Sequence, residues 1–264
     1  MFKHLLAKPW PSLLLFALAP GFLGCESFGP WVKAHGDAGA WGRAASPLNP
    51  NHSGSLALLA TVPYFVVNDD RLSDSLRRNQ PLGGKTSQHN GDILQAVLAF
   101  SPVVPIGISS FVPDRDGEAL EVLEVALESL ALNAGLTQLL KVTTDRERPE
   151  GASTKSFPSG HVSNAMTGAT VTARWLRSKS LWFLPVELGL YGGVGYVAVS
   201  RMENSKHFPT DTIAGAILGG YIANTMWDAH FGRDEEDGIF NHLRRHVVPA
   251  PVGEGLGLFY ATSF

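Results

Sequence analysis

Basic, histidine and acidic residues are grouped at three places in the second half of the chain. They are Lys141, Arg148, His161, Arg201, His207 and Asp211, and the small residues Ser159 and Gly160 directly precede His161. Lysine and arginine side chains supply fixed N–H donors to phosphate oxygens, and arginine can supply two in parallel. Two histidines can divide the work of nucleophile and general acid. These residue types therefore indicate chemistry on a phosphate group.

The spacing within the groups indicates how such a site would work. Asp211 follows His207 by four residues, so its carboxylate can reach one imidazole nitrogen, fix the tautomer and leave the other nitrogen free to attack. Gly160 and His161 open a predicted helix, where backbone N–H groups form an anion site. Taken alone, each residue has a simpler interpretation, such as an N-cap for Ser159. Together, those simpler interpretations would require three unrelated coincidences at helix ends.

The groups lie at the ends of four predicted helices, which cover residues 117–141, 161–177, 181–200 and 210–228. Lys141 closes the first helix, His161 opens the second, Arg201 closes the third, and His207 and Asp211 flank the start of the fourth. Helices that pack side by side would bring these ends into one pocket. The predicted fold class is therefore all-α, a helical bundle with long loops.

The first of these helices is predicted to be amphipathic. Two stripes at helical spacing support this, formed by Leu120, Leu123, Leu127 and Leu130 and by Glu121, Glu124 and Glu128. A charge near the middle of a membrane-spanning helix costs about 2.5–3.5 kcal/mol. We therefore expect the glutamate stripe to face water and the helix not to cross a membrane.

The segments before this helix carry weaker signals. Residues 56–67 are apolar and interrupted by Pro63, and residues 68–92 are polar and predicted to be a loop. Residues 93–112 are apolar with two prolines, which is compatible with a kinked buried helix or a membrane segment. At the other end of the chain, residues 256–264 are predicted to be a packed tail.

The first 25 residues have the layout of an export signal. Lys3 and Lys8 precede an apolar run from Leu13 to Leu23, and the only cysteine, Cys25, follows. A cysteine directly after the cleavage point resembles a bacterial lipoprotein signal, in which that cysteine is acylated. An ordinary signal peptide and an N-terminal anchor helix are the alternatives. Residues 26–55 are rich in small and polar residues, which predicts a tether or surface wrap.

Composition narrows the possible classes of function. The 264 residues suit one large domain or two small ones. The net charge of −3 gives no reason to expect nucleic acid as a partner. A single cysteine excludes an internal disulfide and a cysteine-rich metal site.

Three stretches, KVTTDRERP, PSGH and SRMENSKHFPTD, resemble the signature motifs of the type 2 phosphatidic acid phosphatase and vanadium haloperoxidase superfamily. The spacings within them match without a gap or substitution, and they cover residues 141–211. Residues 1–116 and 229–264 carry no part of the motifs. The resemblance implies an α-helical core and a phosphate-transfer site that needs no metal or other cofactor.

The resemblance also implies a role for each residue. His207 would attack the phosphorus and become a phosphohistidine, Asp211 would orient it, and His161 would protonate the leaving oxygen and then activate water. The residues expected to bind the phosphoryl oxygens are Lys141, Arg148, Ser159, Gly160 and Arg201. Stabilising charge on those oxygens is the main physical task in phosphoryl transfer.

The sequence therefore predicts a phosphatase for phosphomonoesters or diphosphates, with a lipid-linked or other amphiphilic substrate at a membrane surface of the cell envelope. We expect the catalytic domain to lie outside the cytoplasm. The predicted parts are a signal peptide (1–25), a tether or wrap (26–55), a helical phosphatase domain (56–232) and a C-terminal tail (233–264). The alternatives are an exported non-specific acid phosphatase, a vanadate-dependent haloperoxidase and a non-catalytic anion-binding envelope protein.

Overall fold

The computed structural model describes residues 38–46, 49–108, 118–179, 184–232, 247–252 and 255–260. Within them the chain forms eight α-helices and one pair of strands. The helices are α1 Ala38–Ala44, α2 Ser53–Asn79, α3 Lys85–Phe100, α4 Val104–Ile108, α5 Glu118–Thr144, α6 Gly160–Ser178, α7 Leu184–Glu203 and α8 Pro209–Phe231. Short 3-10 helices, Pro50–His52 and Ser101–Val103, precede α2 and α4. The predicted helical bundle is confirmed.

A two-stranded hairpin follows the bundle. Strands β1 Val247–Val252 and β2 Gly255–Tyr260 pair antiparallel, with Val247 opposite Tyr260. The hairpin adds two strands to a chain predicted to be all helical, and both strands lie within the predicted C-terminal tail (233–264).

The four helices predicted at the motifs are confirmed as α5, α6, α7 and α8, although residues 117 and 181–183 lie outside the described part of the chain. The predicted loop at 68–92 is wrong. Helix α2 continues through Pro63 to Asn79, and α3 begins at Lys85. Most of the polar stretch in α2 faces solvent, and its buried positions hold Asp69 and Ser73. Its lack of an apolar stripe therefore reflects shallow burial, not the absence of a helix.

The predicted orientation of α5 holds only in part. Leu120 and Leu127 are more than half exposed, whereas Val122, Val125 and Ala126 are buried in the core. These small and β-branched side chains form the face that packs with core residues of α6 and α8. The glutamates are only partly exposed. Our expectation that they face water therefore holds only in part.

Helices α6 and α8 run parallel at the centre of the bundle. A Cβ atom on Gly215 of α8 would lie 2.5 Å from the carbonyl oxygen of Ser159, so only glycine permits this approach. One turn further on, Gly219 meets the carbonyl of Ser163 in the same way. At the far ends of both helices, Arg174 forms a 2.7 Å buried ion pair with Asp228. The parallel packing brings the first turns of α6 and α8 side by side.

The flanking helices place their own ends at the same side of the bundle. Helix α5 runs antiparallel to α6, so its last turn lies near the start of α6, where Lys141 donates to the carbonyl of Pro158 at 2.7 Å. Helix α3 runs parallel to α6, with Leu98 against Gly168. On α7, Ser200 donates to the carbonyl of Ser87 at 2.8 Å, which aligns the end of α7 with the start of α3. The fold thus gathers helix ends around one point.

The segment before α2 is held at the opposite end of α8. The amide nitrogens of Asn49 and Asn51 contact the Asp228 carboxylate, and His52 Nε2 lies 2.9 Å from the carbonyl of Ala44. This part of the predicted tether or wrap is therefore packed into the bundle; residues 26–37 lie outside the described part.

For residues 93–108, the structure has the end of α3, a 3-10 turn and α4; residues 109–112 lie outside the description. Among the helices of the described residues, none is both long enough and apolar enough to cross a membrane.

Candidate active site

A pocket of about 270 Å³ lies where α5 ends and α6 begins. Five of the predicted site residues line it: Lys141, Arg148, Gly160, His161 and His207. Its other lining residues are Ala134, Thr137, Gln138 and Asn164, from the last turns of α5 and the first turns of α6. The pocket therefore combines charged groups at the helix ends with a polar wall.

A backbone carbonyl determines which ring nitrogen of His207 is free to react. Its Nδ1 atom is 2.7 Å from the carbonyl oxygen of Ser156. A carbonyl can only accept, so Nδ1 carries the proton and Nε2 keeps its lone pair in the neutral ring. His207 is 2% exposed, and burial lowers its pKa despite the opposing effect of Asp211. The neutral ring with a free Nε2 is the form that a nucleophile requires.

Asp211 is linked to His207 through Ser156 and not by a direct hydrogen bond. Its Oδ2 atom is 3.8 Å from His207 Nδ1, which is too long for a hydrogen bond. The hydroxyl of Ser156 instead donates to that same Oδ2 at 2.5 Å. Ser156 therefore lies between the two predicted partners, since its carbonyl accepts from His207 and its hydroxyl donates to Asp211.

The Asp211 carboxylate is fully buried and held by further donors. Arg146 donates to Oδ1 at 2.7 Å, and the backbone N–H of Phe208 donates to Oδ2 at 2.9 Å. Arg146 also donates to Asp69 of α2 at 2.7 Å. Burial would raise the pKa of Asp211, but its contacts with His207, Ser156 and Arg146 outweigh burial and lower it. Asp211 therefore stays ionised beside His207.

Lys141 is 8% exposed, and two of the three N–H groups of its ammonium bind acceptors among the described residues. Its Nζ atom donates to the carbonyls of Lys155 and Pro158 at 2.9 and 2.7 Å. An ammonium group has three N–H donors, so one remains for a ligand in the pocket. Burial and the neighbouring charge of Arg148 lower the pKa of Lys141 to about 8.

Several predicted phosphate ligands have buried polar atoms without a partner among the described residues. These atoms are Nε of Arg148, Nε of Arg201 and Oγ of Ser159. Buried polar groups are normally hydrogen-bonded, and an exception needs an explanation. The Ser159 side chain also makes no capping bond to α6, so the simpler N-cap interpretation fails for its hydroxyl. An anion in the pocket would supply acceptors for such donors.

His161 lies at the first turn of α6, and its Nε2 atom is 3.2 Å from Oδ1 of Asp92. Burial and the nearby Arg201 lower its pKa to about 4, although Asp92 raises it. A ring with this pKa is neutral near pH 7. A phosphate dianion next to it would raise the pKa again, because an opposite charge favours the protonated form.

A Cβ atom on Gly160 would lie 3.5 Å from the nearest atom of Thr137, which is ordinary van der Waals contact. Close packing does not demand glycine there, so the role expected for Gly160 rests on its backbone N–H.

Cys25 lies outside the described residues. Among the residues that the structure describes, no three His, Cys, Asp or Glu side chains are arranged to hold a metal ion.

Four residues that complete the site were missed by sequence reasoning. Arg146 and Ser156 lie in or next to the quoted motif stretches, so their positions were available as a signal. Asp69 lies in the stretch predicted to be a loop, and Asp92 lies at the end of that stretch. Neither aspartate carries a local pattern, because both reach the site only through helix packing.

Comparisons with known proteins place these residues in a family. Residues 124–235 match the sequence profile of the PAP2 superfamily. Over 90 residues the chain is 31% identical to the lipid A 1-phosphatase of Porphyromonas gingivalis, which covers 34% of this chain and 20% of that protein. A protein of Arabidopsis thaliana named Probable lipid phosphate phosphatase 4 is 34% identical over 90 residues, or 29% of this chain and 27% of that protein. The chain thus spans a fifth to about a quarter of these curated relatives.

A solved structure is also similar. It is the crystal structure of a transmembrane PAP2 type phosphatidylglycerolphosphate phosphatase from Bacillus subtilis, with a TM-score of 0.47 and 23% identity. The superposition covers 70% of this chain and 96% of that chain.

The residues matched by the family profile include all eight residues predicted to form the phosphate site. They also include the whole of α6 and α8, whose first turns meet beside the pocket. Residues 124–235 of this chain are therefore a domain of the PAP2 superfamily.

Proposed function

We propose that this chain is a phosphatase that hydrolyses lipid-linked phosphomonoesters or diphosphates through a phosphohistidine intermediate. The observation that carries the proposal is the pairing of a buried His207 with a free Nε2 and a pocket whose cationic residues have unpaired buried donors. A nucleophile and an unfilled set of donors to an anion are the two requirements of phosphoryl transfer.

In the first step, Nε2 of His207 attacks the phosphorus and the P–N bond forms as the bond to the leaving oxygen breaks. His161 gives its proton to that leaving oxygen. Lys141, Arg148 and Arg201 stabilise the charge on the phosphoryl oxygens during transfer, with Ser159 and the backbone of Gly160 as further donors.

In the second step, His161 takes a proton from water as the water attacks the phosphorus. The P–N bond breaks, inorganic phosphate leaves, and Nε2 of His207 regains its lone pair. The carbonyl of Ser156 holds the ring throughout, while the ionised Asp211 behind it stabilises the positive charge that the ring carries in the intermediate.

An amphiphilic substrate is favoured by the surface beside the pocket. Leu132, Leu139 and Val142 of α5 are exposed at helical spacing, and Val142 follows Lys141 directly. An acyl chain could cover these side chains while its phosphate occupies the pocket. The names of the two relatives, both lipid phosphatases, support the same substrate class.

A substrate screen with the purified full chain in detergent tests the proposal. A lipid monophosphate, a lipid diphosphate and a soluble aryl phosphate are compared, with His207→Gln as the matched inactive control. We expect faster turnover of a lipid substrate, inhibition by vanadate and no loss of activity in EDTA. Preference for the soluble ester would favour a non-specific acid phosphatase, halide oxidation by the vanadate-loaded protein would favour a haloperoxidase, and phosphate binding without turnover would favour a non-catalytic role.

We also propose that the protein is exported and anchored in the cell envelope by acylation of Cys25, with residues 56–232 as the catalytic domain outside the cytoplasm. The support is the charged and apolar start followed by the only cysteine. Cys25→Ser should move the protein from the membrane to the soluble fraction of the producing bacterium. Tight membrane retention of that variant would argue for another anchor.

A further inference from the structure

Asp92 is a carboxylate at the site that lies outside the three motifs and outside the residues matched by the family profile. It lies in the second turn of α3. A single oxygen, Oδ1, is 2.7 Å from NH1 of Arg201 and 3.2 Å from Nε2 of His161. Asp92 therefore joins a residue expected to bind phosphate to the residue expected to act as the acid.

The packing of α3 on α7 fixes the position of this carboxylate. A Cβ atom on Gly91 would lie 2.6 Å from the hydroxyl oxygen of Ser200, so glycine is what allows the close approach. At the start of α3, the buried carboxylate of Glu203 accepts from the backbone N–H groups of Leu82 and Gly84 at 3.0 and 3.2 Å. The end of α7 thus holds the first two turns of α3, and Asp92 lies in the second of them.

Without Asp92, His161 would stand among positive charges. Burial lowers its pKa, the neighbouring charges of Arg201 and Arg148 lower it further, and Asp92 is the group that raises it. A carboxylate beside an imidazole stabilises the protonated ring and restricts its rotation. A general acid needs both effects, because it must carry a proton and point it at the leaving oxygen.

We propose that Asp92 is a positioning residue that orients His161 and, together with a phosphate dianion in the pocket, favours its protonated form for transfer of a proton to the leaving group. The inference rests on the proposed phosphatase function. Asp92 itself does not touch the phosphoryl group; it acts through His161.

The leaving group distinguishes this role from a structural one. An alkyl phosphate needs protonation of its leaving oxygen, whereas an aryl phosphate such as 4-nitrophenyl phosphate needs little. Asp92→Asn should lower kcat/KM, which reports the step that expels the leaving group, about 10- to 100-fold on the alkyl ester, below the loss of about 10²–10⁴ typical of removing a general acid outright. It should lower kcat/KM only slightly on the aryl ester, and inhibition by vanadate should not weaken.

A double-mutant cycle with His161→Ala tests whether Asp92 acts through His161. In the His161→Ala background, Asp92→Asn should cause little further loss on the alkyl ester, because its target is already absent. Asp92→Glu keeps the charge and should restore part of the activity. Asp74→Asn is the matched control, since it removes an exposed carboxylate of α2 that is 3.0 Å from Arg77, and it should leave both reactions unchanged.

Equal losses of kcat/KM on both esters, full additivity with His161→Ala, or weaker vanadate inhibition would overturn the inference. Asp92 would then serve to position Arg201 or to stabilise the fold. Wild-type activity in Asp92→Asn would overturn it as well, while leaving the proposed function in place. A wild-type protein that turns over neither ester would contradict the proposed function and, with it, this inference.

Discussion

At the residue scale, Lys141 gives the site a measurable dependence on pH. Its pKa is lowered to about 8, so it carries its charge below that pH and loses it above. A phosphate monoester has its second pKa near 6 and stays a dianion across this range. We therefore predict that kcat/KM, which reports the free enzyme, falls as pH rises through about 8. Steady-state kinetics between pH 6.5 and 9.5 measure this.

Lys141→Arg is the control for that assignment. Arginine stays protonated to much higher pH, so any activity this variant retains should show no alkaline loss near pH 8. An unchanged alkaline limb in Lys141→Arg would assign the titration to another group.

Residue spacing correctly predicted five of the residues that line the pocket. It did not predict the hydrogen bonds that hold them. A carboxylate four residues after His207 predicted direct contact with the ring. The chain instead brings the carbonyl of Ser156 to 2.7 Å from Nδ1 and leaves Asp211 at 3.8 Å. Which acceptor reaches the ring depends on the path of the loop before α6, and no local pattern encodes that path. Asp69 and Asp92 were out of reach for the same reason, since both come from helices distant in sequence.

At the element scale, the contact between α6 and α8 sets the geometry of the pocket. Gly215→Ala would place a methyl group about 2.5 Å from the carbonyl of Ser159, so the helices must separate. We predict a loss of about 1–3 kcal/mol in unfolding free energy, as for other overpacked contacts, measured by urea denaturation. The kcat should fall too, because Ser159 precedes Gly160 and His161.

Gly192→Ala in α7 is the matched control, since the added methyl group would meet no atom of the other described residues within 4 Å, the neighbouring backbone of α7 aside. Alanine is favoured over glycine inside a helix, so this variant should gain about 0.5–1 kcal/mol. Destabilisation of both variants alike would show that the close approach at Gly215 is not the cause.

Elements with strong apolar spacing were predictable, and their faces were not. Leucines at helical spacing indicated α5 correctly, yet Leu120 and Leu127 are exposed while Val122 and Val125 are buried. The face of α5 toward α6 and α8 instead carries Val122, Val125 and Ala126, and leucine spacing alone did not identify it. The polar half of α2 was not predicted as a helix because it has no apolar stripe. The residues that it buries against the bundle are the polar Asp69 and Ser73.

At the scale of the whole molecule, Arg146 joins α2, the loop before α6 and the start of α8. It pairs with Asp69 and Asp211 at 2.7 Å each and lies over the ring of Phe208 at 4.3 Å. Arg146→Met would leave two buried carboxylates without their cation. Breaking a fully buried pair costs about 3–5 kcal/mol; since Arg146 is about a third exposed, we predict about 2–3 kcal/mol, measured by urea denaturation.

Arg77→Met is the control for that prediction. Arg77 and Asp74 form an exposed pair at 3.0 Å, and such pairs contribute at most about 1 kcal/mol. A similar loss of unfolding free energy for both variants would contradict the prediction that the ion pairs of Arg146 stabilise the fold more than an exposed pair does.

The central claim is that His207 carries the phosphoryl group during turnover. Rapid-quench trapping with a radiolabelled phosphate ester under alkaline conditions, followed by tandem mass spectrometry, tests it most directly, because phosphohistidine survives alkali and is lost in acid. We predict labelled phosphate on His207 in the wild type and none in His207→Ala. Phosphate found on His161, or turnover in which no phosphoenzyme can be trapped at any quench time, would contradict the account.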